Sequence, residues 1–270
     1  MRTVLTIAGS DPGGGAGVQA DLKTFAAFGV YGVSVITAIT VQNTQGVERV
    51  VALEGDLVEA QIEALAGDID VHATKIGMLA NAAIVEVVTA AIDELDLPLV
   101  VVDPVLVSSS GRPLLDADGQ RALRSELLAR ARVVTPNVAE AETLAGHPIA
   151  SMDDARDAAR RIRDLGPRAV VITGGHAHGF GDMAHVVDLL LDGDEFHECR
   201  VSRVDAGPTH GTGCTFASAV AAGLARGEAL PRAVGRAQQY VAGALAHRLT
   251  VGRGRAVLDH FWQHSPGRSG

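Results

Sequence analysis

Lysine is what this chain most lacks: Lys23 and Lys75 are the only two among 23 basic residues, and these sit among 32 carboxylates for a net charge of −9. No basic stripe results, so neither nucleic acid nor an anionic membrane is an expected partner. Aromatics are also scarce, 3% of 270 residues, which removes the ring faces that single-strand grooves and sugar-stacking clefts need. Two cysteines, Cys199 and Cys214, cannot build a disulfide framework and make a poor zinc site, which favours a reducing compartment. Long apolar runs are missing too. The first, residues 4–8, is too short for a signal peptide, and none approaches the roughly 20 residues of a membrane span. A cytoplasmic protein acting on a small molecule is the expectation.

What is present is an alternation of two periods. Short β-branched runs at 4–8, 33–40, 47–53, 74–77, 99–103, 132–135 and 169–173 read as strands. Between several of them lie amphipathic helices. The clearest spans 82–95, where Ile84, Val87, Val88, Ala91, Ile92 and Leu95 form one apolar stripe that must face a sheet. A second, 154–165, is stopped by Gly166-Pro167. Strands 186–191 and 195–201 flank Asp192-Gly193-Asp194 as a hairpin at the sheet edge, and helices at 214–226 and 231–248 close the chain. Near-continuous apolar strands alternating with helices predict an α/β fold whose mostly parallel sheet is covered on both faces. Ligands are expected beyond the carboxyl ends of its strands. No repeat or linker interrupts the pattern, so residues 1–264 read as one domain and 265–270 as a frayed tail.

Two glycine loops punctuate this pattern. Gly13-Gly14-Gly15-Ala16-Gly17 lies between the first strand and a helix starting near Val18. It matches a dinucleotide fingerprint only formally, because the strand ends too far upstream and the second strand lacks the acidic ribose ligand. A P-loop is excluded, since neither lysine follows a glycine. The second loop, Gly211-Thr212-Gly213-Cys214, opens a helix of small residues. Its free amides and the helix dipole suit a phosphoryl group, although a G-x-G can also be a plain tight turn. A thiol in the first helical turn is expected to have its pKa lowered and to serve as base or hydrogen-bond partner for a substrate hydroxyl; the alternative is an inert core cysteine. A third cluster, Thr135-Pro136-Asn137-Val138-Ala139-Glu140, puts Asn137 and Glu140 on one side of a first helical turn. The pair either caps that helix or positions magnesium waters.

Taken together, these segments resemble a known family. Thr6 to Phe25, Val41-Gln42-Asn43-Thr44, Lys75-Ile76-Gly77-Met78-Leu79, Val102-Asp103-Pro104-Val105, Ser110-Gly111-x-Pro113-Leu114-Leu115, Thr135-Pro136-Asn137, Gly174-Gly175-His176 and Thr209-His210-Gly211-Thr212-Gly213-Cys214-Thr215 run in order along the chain. In that order they resemble the hydroxymethylpyrimidine/phosphomethylpyrimidine kinases of the ribokinase-like superfamily. The resemblance implies a three-layer α/β/α sandwich with a central, mostly parallel sheet. It also implies ATP-dependent phosphorylation of an aminopyrimidine's hydroxymethyl group, then of the monophosphate, with Mg2+, in thiamine biosynthesis and in a homodimer.

Carried over by residue, Gln42 would read the aminopyrimidine edge, with Gly9 and Asp21 on the substrate's polar groups and Met78 and Val105 walling its ring. Asp21 can also be a dipole-favoured carboxylate at a helix start, and Met78 and Val105 ordinary core. Gly211, Thr212, Gly213 and Cys214 would form the catalytic anion hole. Asn137 and Glu140 would serve magnesium and phosphate, with Thr173 beside the nucleotide and His210 either touching it or shaping the loop. Most pyridoxal kinases of the superfamily carry aspartate where Cys214 stands, so the cysteine favours the pyrimidine enzyme over that alternative. A second alternative is a pyrimidine-binding homologue without turnover. Thr173 and Ser109 stand where the family usually has lysine, which leaves Mg2+, the helix dipole and Arg112 to neutralise phosphate. Gly252-Arg253-Gly254-Arg255 departs from the family's ending and has no assigned role, and His176-x-His178 reads as a loop motif ahead of a metal pair.

Overall fold

Alternation along the strands decides the layers. A computed structural model describes residues 1–108, 111–175 and 184–264. In it β1 (Thr3–Ser10) sends Leu5 and Ile7 into one apolar cluster and Val4 into another on the opposite face. β5 (Val100–Val102), β6 (Val133–Val134) and β7 (Ala169–Ile172) divide their side chains the same way. With β2 (Tyr31–Asn43), β3 (Gly46–Ala52), β4 (Ala73–Ile76), β8 (His185–Asp192) and β9 (Glu195–Ser202) they form one sheet, ordered β3-β2-β1-β4-β5-β6-β7-β8-β9. The middle pairs are parallel, while β2–β3, β7–β8 and β8–β9 are antiparallel. The edge hairpin at Asp192-Gly193-Asp194 is therefore present, and a second hairpin borders the other edge.

Helices cover both faces. α2 (Gly55–Ala66), α3 (Ala82–Glu94), α4 (Ala117–Ala122), α5 (Val138–Ala145) and α6 (Met152–Arg163) contribute to the first cluster. α1 (Gly17–Ala27), α7 (Thr212–Ala225) and α8 (Leu230–Ala246) contribute to the second. This is the three-layer α/β/α architecture expected. α3 begins where expected because the Asn81 side chain accepts the Ile84 N–H at 3.0 Å, an N-cap that fixes the first turn. α7 is buried along nearly its whole length. Ala217, Ala219, Ala221 and Ala222 are fully covered, so the small side chains let this helix lie close to the sheet and to its neighbours. Its N-terminus thereby meets the carboxyl ends of β1, β4 and β5.

One pairing has no periodic signal in the sequence. β10 (Thr209–His210) pairs in parallel with β11 (Ala256–Val257), bringing the C-terminal segment against the residues that lead into α7. Two-residue strands are too short for alternation to mark them.

Candidate active site

The two glycine loops meet. Gly211 has φ +90°, and a Cβ there would collide with the Gly15 carbonyl, so only glycine fits this crossing. Their amides face different partners. Asp11 fills the first loop: its carboxylate accepts from the N–H of Gly13 at 2.8 Å, Gly15 at 3.0 Å and Ala16 at 2.8 Å. Burial pushes the Asp11 carboxyl up, but the His210 contact and these amides outweigh it and leave it below the usual range. The second loop caps α7, so the N–H groups of Thr212, Gly213 and Cys214 have no partner within the helix and point out of its positive end. Residues 211–214 are only partly covered, so the expected anion hole at this end of α7 is reached by solvent.

A pair of carboxylates lies beside the hole. A Cβ on Gly213 would sit 3.7 Å from Asp103 Oδ2, so the Asp103 carboxyl rests against the open end of α7. Asp103 follows β5 and is 4% exposed, and among the described residues its Oδ2 has no hydrogen-bond partner. Burial pushes it up to about 6 although Lys75 pulls the other way. Glu140, also buried, is pushed up to about 8 by burial and by Asp103. Its Oε2 accepts the Asn137 N–H at 3.0 Å while Asn137 Oδ1 accepts the Glu140 N–H at 3.0 Å, a complete capping box. Capping is thus what the Asn137–Glu140 pair does, and its position beside Asp103 comes in addition. Asn137 also pairs with Thr173 across the ends of β6 and β7. Two buried carboxyls that repel one another, one with an unpartnered oxygen, are a donor set that fits a hard divalent cation.

The thiol differs from expectation. Burial, with Asp103 and Asp21 nearby, pushes Cys214 up to about 12, against the opposing pull of Lys75 and of the Gly17 amide. The helix dipole is overruled because the sulfur faces carboxylates in a poorly solvated site. Cys214 is therefore a protonated thiol beside Asp103, and it keeps some solvent access at the mouth of the site.

Asp21 is a second correction. It lies at 0% exposure behind the hole, where Lys75 Nζ is 3.0 Å from Oδ2, Thr6 Oγ1 donates to Oδ2 at 2.6 Å and Ser218 Oγ donates to Oδ1 at 2.6 Å. Three hydrogen bonds inside the protein engage both of its oxygens, so it braces the site from behind. Lys75, fully buried, is held charged: burial works against the ammonium, but the Asp21 carboxylate, with Asp103 beyond it, raises its pKa. Arg112, expected near phosphate, instead donates to the carbonyls of Val47 and Glu48 in β3. Ser109, Ser110, His176 and His178 lie outside the described residues.

Gly9 and Met78 are neighbours, a Cβ on Gly9 lying 3.0 Å from the Met78 sulfur, and Val105 follows Asp103 on the same loop. Gln42 reaches the second glycine loop through its Nε2, 2.9 Å from His210 Nε2. His210 is thus on the Gln42 side of the hole, at 3.2 Å from Asp11 Oδ2. Asp103 and Lys75 were legible only as letters of family motifs. The signal that marks Asp103 is its place directly after an apolar strand, where ligands of parallel sheets gather.

Comparison with known proteins identifies the family. The family described as phosphomethylpyrimidine kinase matches residues 11–259. A hydroxymethylpyrimidine/phosphomethylpyrimidine kinase of Streptomyces coelicolor is 47% identical over 259 residues, 96% of this chain and 94% of the relative. A crystal structure of phosphomethylpyrimidine kinase from Clostridium difficile superposes with TM-score 0.78 at 39% identity, covering 89% of this chain and 98% of that one. The pyridoxal kinase of Staphylococcus aureus in complex with AMP-PCP and pyridoxal superposes with TM-score 0.88 at 35% identity, covering 98% of this chain and 95% of that one. Matched by that family model over residues 11–259 and nearly half identical to one of its members along almost its whole length, the chain belongs to the phosphomethylpyrimidine kinases of the ribokinase-like fold.

Proposed function

We propose that this chain is an ATP-dependent kinase that phosphorylates 4-amino-5-hydroxymethyl-2-methylpyrimidine and then its monophosphate in thiamine biosynthesis. The observation that carries this is the open N-terminus of α7, with the Asp103 carboxyl against it and Gln42 linked to it through His210, the residue before Gly211. Gln42 offers an amide donor and acceptor to the aminopyrimidine edge, with Gly9, Met78 and Val105 around the ring. The 212–214 amides are placed to take the charge that develops on the transferred phosphoryl group. Cys214 stays protonated and steers the acceptor hydroxyl, and Lys75 adds a fixed positive charge behind it. Asp103, Glu140 and Asn137 would hold Mg2+, which when bound supplies neutralisation of the nucleotide phosphates. Thr173 borders the nucleotide side.

Residues 1–264 act as one kinase domain in the cytoplasm; among the described residues no helix is long and apolar enough to cross a membrane. The exposed face of β2 and β3, with Ile39 opposite Val51 and Val41 opposite Arg49, is the apolar surface on which a homodimer would close.

The test is ADP release measured with hydroxymethylpyrimidine, its monophosphate and pyridoxal as separate acceptors. Turnover with both pyrimidines is expected. Pyridoxal, admitted by the 35% identity to solved pyridoxal kinases, should be the poorest acceptor. A preference for pyridoxal would overturn the reading, and binding without turnover would make the chain a pyrimidine-binding homologue.

A further inference from the structure

The segment 252–257 grips two parts of the site at once. Arg255 N–H donates to the Thr44 carbonyl at 2.8 Å and Gly254 N–H to Thr44 Oγ1 at 3.1 Å. A Cβ on Gly252 or on Gly254 would collide with Thr44, so the strap lies flat on the β2–β3 turn only because both are glycine. Thr44 is two residues from Gln42. Directly after this grip the strap becomes β11, whose Val257 pairs with His210 in β10, and the next residue after His210 is Gly211. Val257 and His210 also close over Gly15, where a Cβ would lie 2.8 and 3.0 Å from their side chains. Gln42, Thr44, His210 and Arg255 line one small cleft.

His210 completes the connection from the inside. Its Nε2 is 2.9 Å from Gln42 Nε2 and 3.2 Å from Asp11 Oδ2. A neutral imidazole nitrogen either donates or accepts, and a carboxylate only accepts. With the proton on Nε2, that one N–H is shared between Asp11 Oδ2 and the Gln42 carbonyl oxygen, leaving the amide N–H2 for a ligand. With the proton on Nδ1, Nε2 takes the Gln42 N–H2 and the carbonyl oxygen faces the ligand. The imidazole therefore decides which half of the Gln42 amide is presented.

We propose that His210 and the 252–257 strap form a brace that sets the Gln42 amide, in both position and orientation, against the anion hole. His210 is a positioning residue, and it serves the acceptor side of the site in place of the nucleotide. The inference rests on Gln42 reading the acceptor.

Steady-state kinetics and calorimetric titration of hydroxymethylpyrimidine without nucleotide test it on four variants. Gln42→Ala is the control for the underlying reading and should raise acceptor KM. His210→Ala should raise acceptor KM and Kd about tenfold, the worth of one lost hydrogen bond, and leave the ATP KM where it was. His210→Gln, whose amide reaches the position of Nε2, should recover most of that loss. Gly254→Ala, remote from the ligand, should weaken acceptor binding several-fold, again without moving the ATP KM. If Gln42→Ala leaves acceptor KM unchanged, the reading of Gln42 fails and the brace with it. If Gln42→Ala acts while His210→Ala and Gly254→Ala do not, the brace alone is wrong. A rise in ATP KM for His210→Ala with acceptor binding intact would return His210 to the nucleotide.

Discussion

The two glycine loops look alike as sequence and differ in what already occupies them. The 13–17 loop folds its amides around its own Asp11, whereas the 211–214 loop leaves its amides at the open end of α7. The buried carboxylates repeat the contrast. Asp21 is saturated by Lys75, Thr6 and Ser218, while Asp103 keeps an oxygen without a partner among the described residues. Saturated polar groups hold a fold together; an unsaturated one at the same depth is retained where a ligand completes it.

Breaking the saturated side should cost the most stability. Lys75→Met leaves the Asp21 charge alone in the core and should lower unfolding free energy by about 3 to 5 kcal/mol in urea titration. Adding Asp21→Asn should restore most of it, since the neutral pair removes the uncompensated charge. A double variant no more stable than Lys75→Met would show that the pair is not the source of the loss.

The open side should respond in the reverse sense. Glu140→Gln relieves repulsion with Asp103 and keeps the helix cap, so stability should hold or rise while kcat falls about 100-fold, near 2.7 kcal/mol of barrier. Loss of stability matching the loss of turnover would make Glu140 a capping residue only. A smaller effect is expected at the thiol. Cys214→Ala should cut kcat about tenfold with acceptor KM little changed, and unchanged turnover would remove Cys214 from the reaction.

Asp188 is intermediate between the two sides and gives the smallest effect. It accepts the Gly174 N–H at 2.9 Å, yet burial pushes it up to about 6. A carboxyl with a folded pKa above its unfolded value of about 3.9 binds its proton more tightly in the native state. Its contribution is therefore full below about pH 4 and is lost as pH rises through 6. Asp188→Asn should add about 1 kcal/mol at pH 8 and nothing at pH 4, read from denaturation midpoints at the two pH values. An equal gain at both would assign the effect to packing.

Much of this was legible in the residues. The strand runs, the stripe of Ile84, Val88 and Ile92 on α3, and the edge hairpin at Gly193 were readable because each is a local pattern whose period fixes which side chains face the sheet. The helix start at Gly211 was readable for the same reason, since a glycine loop opening a small-residue helix dictates its own backbone. Less legible was how charge is distributed around it. The sequence alone does not tell Asp21 from Asp103, and the first turn of a helix suggested a depressed Cys214.

The scarcity of lysine, a property of composition, set the question of how phosphate charge is met. Sequence by itself determined the layered sheet and the amide cradle at Gly211 to Cys214, because both follow from neighbours close along the chain. Tertiary structure alone decided that one of the two lysines lies beneath that cradle, that Cys214 stays protonated and that His210 holds Gln42. Desolvation and pairing depend on groups far apart in sequence, Asp21 to Ser218 across 197 positions and Gln42 to His210 across 168, and only the closed fold brings them within reach of one another.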